Sequence, residues 1–364
     1  MMLRRNAIKT AAFLLAGLSE SSSSLATKET DFYPQANPRR LVFPRDYGAH
    51  PQYRTEWWYL TGWLGQGPAA IGFQLTFFRS RTQHASENPS RLAPKQLLFA
   101  HAAVADAKQD IFANADRSGR MSSELLRADT SDTNLQFEDW YLRRVQLSRG
   151  EVYEGHFAGE GFEVSFQAST EQPVILRGRE GLSQKGPLAE EASYYYSRAP
   201  LSVDARVQIG KQTQTLVGKA WLDHEWSSQV LMPGAVGWDW VGINLLDGGT
   251  LMAFQMRNNK SQPLYSHVDA RDKEGLPAQG WSGLRWQPRA TWRSKSLTEY
   301  PVHMDLVVGN QSFRLVPLML SQEIDARAST GGFYWEGAVS LMQEERLLGR
   351  GYLELTGYGA PLHI

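Results

Sequence analysis

From about residue 55 onward the chain is written in short apolar runs broken by turn residues. Trp57–Leu64 and Ile71–Phe78 are aromatic and β-branched, and Gly65-Gln66-Gly67-Pro68 separates them as a turn cluster. Leu97–Val104, Phe162–Ala168, Leu201–Ile209 and Thr213–Trp221 follow the same style. Val241–Leu246 and Thr250–Arg257 flank Asp247-Gly248-Gly249, a hairpin signal, and Met304–Val308 and Gln311–Leu315 flank Gly309-Asn310 in the same way. Trp335–Leu341 and Gly351–Thr356 complete the series. Helical spacing is sparse, with Ser122–Arg127 and Leu318–Arg327 as the two short candidates. Many short strands with frequent turns predict an all-β chain, either sandwich or barrel; closed barrels have the advantage of leaving no sheet edge exposed. An aromatic-glycine strand opens each half, first Glu56-Trp57-Trp58-Tyr59-Leu60-Thr61-Gly62 and then Gly237-Trp238-Asp239-Trp240-Val241-Gly242. That echo predicts two similar barrels joined near residue 228, an N-terminal one over residues 27–228 and a C-terminal one over 229–364. Residues 27–52, rich in Pro, Arg and polar residues, read as a lead-in.

The 364-residue length accommodates two such domains. Lys and Arg number 38, as do Asp and Glu, and this balance argues against a nucleic-acid binder. There is no cysteine, which excludes disulfides, thiolate metal sites and cysteine nucleophiles. Residues 1–26 read as an export signal. Arg4 and Arg5 form a charged start resembling a twin-arginine signal, Ala11–Leu18 is an apolar run, and Ser24-Leu25-Ala26 is a cleavage site. A run of that length cannot cross a hydrocarbon core of ~30 Å, and no other segment approaches transmembrane length. Removing the signal leaves 35 basic and 37 acidic residues, a net charge of −2. The expected location is the periplasm, or outside the cell.

Tryptophan is the outlier, with 12 residues, seven of them in residues 57–63 and 221–240. The densest chemistry sits there, in Trp221-Leu222-Asp223-His224-Glu225-Trp226. On a strand, Asp223 and Glu225 point one way and His224 the other, grouped with Leu222 and Trp226. An imidazole beside indoles can exchange a proton near neutral pH. The same cluster also reads as a satisfied polar corner where a strand leaves a barrel. Glu56, Trp57 and Trp58 form a second group, and Trp238, Asp239 and Trp240 a third; each reads as barrel packing or as the lining of a ligand cavity. Alternation puts Trp238 and Trp240 on one face and Asp239 on the other, suiting a flat apolar ligand. No Gly-x-Ser-x-Gly elbow occurs, because Gly181-Leu182-Ser183-Gln184-Lys185 lacks the final glycine. His224-Glu225-Trp226-Ser227-Ser228 lacks the second histidine of a zinc protease. The eight histidines are scattered, none at metal-ligand spacing, so no metal site is expected.

Taken in order, Tyr53–Gly62, Ala220–Trp226, Gly237–Trp240, Tyr334-Trp335-Glu336-Gly337-Ala338-Val339 and Gly349–Tyr358 resemble the lipocalin-like family of carotenoid 1,2-hydratase. That family includes exported bacterial proteins labelled as secreted hydrolases, found beside ABC transporter components. The resemblance spans nearly the whole chain after the signal and implies two consecutive lipocalin-like (calycin) barrels. It further implies a hydrophobic lipid or isoprenoid ligand and an ABC transporter permease as partner. For the hydratase members it implies acid-assisted addition of water to a C=C bond without a cofactor, with Asp223, His224, Glu225 and Trp226 as the catalytic group. In the hydratases an acid is expected on the strand after the His-x-Trp motif. Leu251–Arg257 carries no carboxylate, so Asp223, Glu225 or Asp239 would have to serve. Three functions follow: exported lipid binding, hydration of an isoprenoid, and lipid or ester hydrolysis, the last without a nucleophile motif to support it.

Overall fold

The computed structural model describes residues 33–84, 90, 93–121, 125–148, 150–229 and 231–362. Residues 35–364 form one compact unit; of the separate unit Met1–Pro34 only the last two residues are described. The export-signal reading of residues 1–26 therefore lies outside the described residues.

The chain is all-β. The first sheet is built from β1 (Thr55–Leu64), β2 (Ile71–Arg81), β3 (Gln96–Asp106), β4 (Ile111–Arg120), β5 (Leu126–Ala128), β6 (Asn134–Phe137), β7 (Trp140–Gln146), β8 (Glu151–Gly159), β9 (Phe162–Ser169), β10 (Ile175–Leu176), β11 (Leu182–Gln184), β12 (Ala192–Ile209) and β13 (Gln212–Ser227). The second contains β14 (Gly237–Leu245), β15 (Thr250–Arg257), β16 (Pro263–Arg271), β17 (Leu284–Arg293), β18 (Glu299–Val308), β19 (Gln311–Pro317), β20 (Glu323–Asp325), β21 (Phe333–Gln343) and β22 (Arg346–Leu355). The first runs β4-β3-β2-β1-β13-β12-β9-β8-β7-β6-β5, with β10 and β11 on β12, and curls until β4 approaches β8. The second runs β16-β15-β14-β22-β21-β19-β18-β17 as a more open barrel.

Two of the sequence expectations change. Ser122–Arg127 and Leu318–Arg327 are not helical where described: Leu126–Ala128 pairs with β6 and Glu323–Asp325 with β21. Neither stretch is long enough to nucleate a helix, and a neighbouring sheet offers each of them a ladder to join. The Trp221–Trp226 cluster is not a corner either. Strand β13 continues through it to Ser227, paired on one side with β1 and on the other with β12.

Each barrel is filled by its inward side chains. Trp58, Leu60, Phe73, Leu75 and Phe77 belong to the first core, and Val241, Met304, Leu306, Trp335 and Leu353 to the second. A third apolar cluster lies between the barrels, where Tyr59, Trp63, Tyr195 and Trp221 of the first sheet meet Trp240, Phe254 and Tyr352 of the second. This explains why β1 is buried along almost its whole length while the Gln212–Lys219 end of β13 is largely open to solvent. Hydrogen bonds cross the joint: Trp63 Nε1 donates to Gly351 O at 2.7 Å and Asn244 Nδ2 to Ala220 O at 3.1 Å.

Close approach at this joint requires Gly72, where an added Cβ would lie 2.7 Å from Ala338 Cβ and 3.1 Å from the Tyr352 hydroxyl. Gly72→Leu should destabilise the fold by about 1–3 kcal/mol through overpacking, measured by chemical denaturation. An unchanged midpoint would show that the barrels part freely.

Candidate functional site

Strand β13 separates two environments because it is buried on both faces. His224 and Trp226 face into the first barrel, together with Glu56 and Trp58 of the paired β1. His224 Nε2 lies 2.9 Å from Glu56 Oε1, and its Nδ1 lies 3.0 Å from the Tyr196 hydroxyl. Glu56 also receives His50 Nδ1 at 2.7 Å and Arg79 Nε at 2.8 Å. His50 Nε2 continues to Asp46 Oδ1 at 3.0 Å, and Asp46 accepts from Arg39 at 2.7 Å. Trp226 stacks on His50 at 3.8 Å, and Trp58 stacks on His224 at 4.4 Å.

The charges in this chain follow from burial set against partners. Burial opposes a charge on His224 and pulls its pKa down to about 4, so it is neutral. The partners then fix its tautomer: Nε2–H donates to Glu56 and Nδ1 accepts from Tyr196. Burial also opposes ionisation of Glu56, but Arg79 and His50 outweigh it and hold the carboxyl well below its usual range. His50 sits between two carboxylates, and Glu56 and Asp46 raise its pKa against the effect of burial. His50, Glu56 and His224 bring three metal-ligand atoms within 4.8 Å of one another. Both imidazoles are already engaged at each ring nitrogen, and a guanidinium occupies the same carboxylate, so these residues fit a closed hydrogen-bond network better than a cation.

Asp223 and Glu225 face the opposite way, into a cavity of about 280 Å³ between the two sheets. Its walls include Trp57, Tyr59, Trp238, Trp240, Phe254 and Tyr334. Asp223 accepts hydrogen bonds from Tyr195 at 2.5 Å, from Trp221 Nε1 at 2.7 Å and from Ser197. Burial nevertheless lifts its pKa to about 6, against the pull of Arg177 and these donors. Glu225 accepts from Ser193 at 2.5 Å and pairs with Lys185 Nζ at 2.9 Å. The Lys185 ammonium lies between the rings of Tyr195 and Phe254, 4.6 and 4.5 Å from their centroids.

The second barrel adds two acids. Glu336 of β21 and Glu354 of β22 are direct cross-strand partners and both line the cavity. Facing carboxylates repel, and in a buried site the repulsion is relieved when a proton is held. Burial pushes Glu354 up to about 7, although Trp238 Nε1 donates to it at 2.9 Å. Burial and the adjacent Glu354 push Glu336 well above the ordinary glutamate value. The cavity can therefore present a protonated carboxyl at neutral pH.

The sequence candidates divide accordingly. Trp57, Asp223, Glu225, Trp238 and Trp240 are at the cavity. His224, Trp226 and Trp58 are not; they are locked inside the first barrel. Glu56 borders the cavity, but its carboxylate is turned inward to His50, His224 and Arg79. Asp239 faces the interior of the second barrel, where Arg257 Nε donates to it at 2.9 Å and Gln255 Nε2 at 2.6 Å. Strict alternation dictates each of these placements. Glu336, Glu354, Tyr195 and Lys185 were not singled out. The available signal was a carboxylate in each of two otherwise apolar strands, Phe333–Leu341 and Gly351–Leu355.

A family model described as AttH-like matches residues 34–358. The chain resembles the crystal structure of an AttH from Nitrosomonas europaea, with 37% identity and a TM-score of 0.79, over 89% of this chain and 99% of that one. It also resembles the crystal structure of kievitone hydratase from Nectria haematococca, over 90% of this chain and 98% of that one. There the identity is 11% and the TM-score 0.64, a likeness of fold. Comparison with curated proteins gives no match. The two sheets are thus a pair of lipocalin-like barrels. No helix among the described residues is long and apolar enough to cross a membrane.

The buried acids predict a pH-dependent stability. Glu354 ionises near about 7 in the folded chain but near ~4.3 when unfolded, so its contribution is fully present below the unfolded value and is lost as pH rises through about 7. Glu354→Gln keeps an acceptor for Trp238 and removes that loss. Its stability relative to the parent should rise by roughly 1–3 kcal/mol between about pH 5 and pH 8. A pH-independent difference in urea denaturation would mean that Glu354 is not desolvated.

Proposed function

The chain belongs to the AttH-like family, and we propose that its inter-barrel cavity is an acid-catalysed hydratase site for a small, largely apolar molecule carrying a C=C bond. The facing pair Glu336 and Glu354, buried among aromatic rings, is the observation that carries this reading. A carboxyl kept protonated at neutral pH is what protonation of an alkene requires, and few other side chains supply it. That a protein named as a hydratase shares the fold is in keeping with this.

In this mechanism Glu336 delivers its proton to one alkene carbon and its partner carbon becomes cationic. Trp57, Trp238 and Trp240 line the same space, and their rings supply cation–π stabilisation to the cation. Water adds to the cation, and Asp223, ionised above about 6, takes the proton that the water sheds. One water is consumed, and one C–H bond and one C–O bond form. The volume suits a small ligand or the end of a longer isoprenoid. His224 and Trp226 support the site from behind, by fixing β13 through the Glu56 network. If residues 1–26 export the chain, the reaction takes place in the periplasm.

The test is incorporation of heavy oxygen from labelled water into a panel of prenylated and acyclic isoprenoid alkenes. Glu336→Gln should lower kcat by at least about 10²-fold with little change in KM. Activity of the parent should rise with pH near 6, as Asp223 ionises, and fall again in more alkaline solution, as Glu336, held well above the ordinary glutamate value by burial and the adjacent Glu354, loses its proton. Ligand binding without incorporation by any variant would make the cavity a carrier site instead.

A further inference from the structure

His101 lies on the outer face of β3 and is fully buried. None of the chemistry above uses it. It reaches across the joint: its Nδ1 lies 2.6 Å from the hydroxyl of Tyr334 on β21. Its Nε2 lies 2.8 Å from Ser329 Oγ, in the segment between β20 and β21. The imidazole also stacks against the Tyr334 ring and takes the ring of Phe78 at its edge. Packing alone would accept a phenylalanine or a leucine here. Two short polar contacts to the opposite barrel need a different reason.

The protons in this group can be assigned. Ser329 Oγ donates to Ala326 O, which leaves its lone pairs to accept from His101 Nε2–H. Burial pulls His101 down to about 4, with the nearby Asp116 acting the other way, so the ring is neutral. A neutral ring protonated at Nε2 is bare at Nδ1, and there it accepts the Tyr334 O–H. Tyr334 and Glu336 are two residues apart on β21 and share a face, and both line the cavity. A phenol in that position would otherwise donate to the Glu336 carboxylate and favour its ionised form. The Tyr334 hydroxyl has one proton, and His101 holds it.

We propose that His101 is a positioning residue that keeps Glu336 a proton donor, by claiming the Tyr334 proton and so withholding it from the Glu336 carboxyl. In this arrangement the hydrogen bonds run away from Glu336, from Tyr334 O–H to His101 Nδ1 and from His101 Nε2–H to Ser329 Oγ, and Glu336 Oε1 is left buried with no hydrogen-bond partner among the described residues. The other groups facing Glu336 are Glu354 on β22 and the hydroxyls of Tyr59 on β1 and Tyr352 on β22. Glu354 acts in the same direction as His101, because its charge also disfavours a second carboxylate, whereas Tyr59 can still donate. His101 therefore adjusts a balance that is already tilted towards the acid.

The proposal rests on the hydratase reading only for its consequence to turnover; the hydrogen-bond claim is measured without substrate. Infrared titration of the Glu336 carboxyl stretch, assigned by its loss in Glu336→Gln, is compared in the parent, His101→Phe and His101→Gln. In His101→Phe the Tyr334 proton is released to Glu336, and the titration midpoint should fall by about one pH unit or more, a tenfold change in the proton equilibrium. In His101→Gln the amide oxygen can accept from Tyr334, and the midpoint should return towards that of the parent. Nitrogen NMR of the parent should show His101 as the neutral Nε2–H tautomer, a readout available even if His101→Phe fails to fold. The Nδ1–H tautomer, or an unmoved midpoint in His101→Phe, would overturn the proposal and leave the hydratase reading intact. A shifted midpoint in a chain that hydrates no alkene would uphold the proposal and sink that reading.

Discussion

Desolvation at the joint between the two barrels governs the rest of the structure. The outer faces of β1, β2 and β13 would be a solvated barrel surface in a lone lipocalin-like domain. Here the second sheet covers them, through Trp240, Phe254 and Tyr352 against Tyr59, Trp63, Tyr195 and Trp221. Any carboxyl caught in that layer loses water and must be paid for by a partner or a proton. Glu225 has Lys185; Glu336 and Glu354 have chiefly each other. The same layer that holds the barrels together therefore prepares an acid.

The two faces of β13 show how partners decide the outcome. Glu56 and Glu336 are both fully buried glutamates. Glu56 has a guanidinium and an imidazolium beside it and is held ionised, whereas Glu336 faces another carboxyl and is pushed to the neutral form. Breaking the first arrangement would strand a buried charge, so the network ties Asp46 and His50 to Glu56 of β1 and His224 of β13. In the second arrangement the carboxyls face each other without such a cation, and burial raises the pKa of both.

Much of the fold was legible because alternation survives wherever one strand face meets water. Leu201–Ile209 alternates buried and exposed residues without a break, and was readable as a strand. Where both faces are covered the pattern disappears. Strand β13 then looks like a polar corner at Trp221–Trp226, although it is the middle of the sheet. The site was half legible for the same reason. Period-two alternation placed Asp223 and Glu225 opposite His224, and Trp238 and Trp240 opposite Asp239, but it could not say which face would be covered to form the cavity. Glu336 and Glu354 depend on cross-strand register and on the second barrel. His101 depends on contacts to residues more than 220 positions away.

The chemistry of the joint turns on one proton. A neutron structure of the unliganded protein at neutral pH would show the protonation of every carboxyl at once. The expected result is deuterium on the Glu336 carboxyl and none on Glu56. Bare carboxylates at both Glu336 and Glu354 would contradict it.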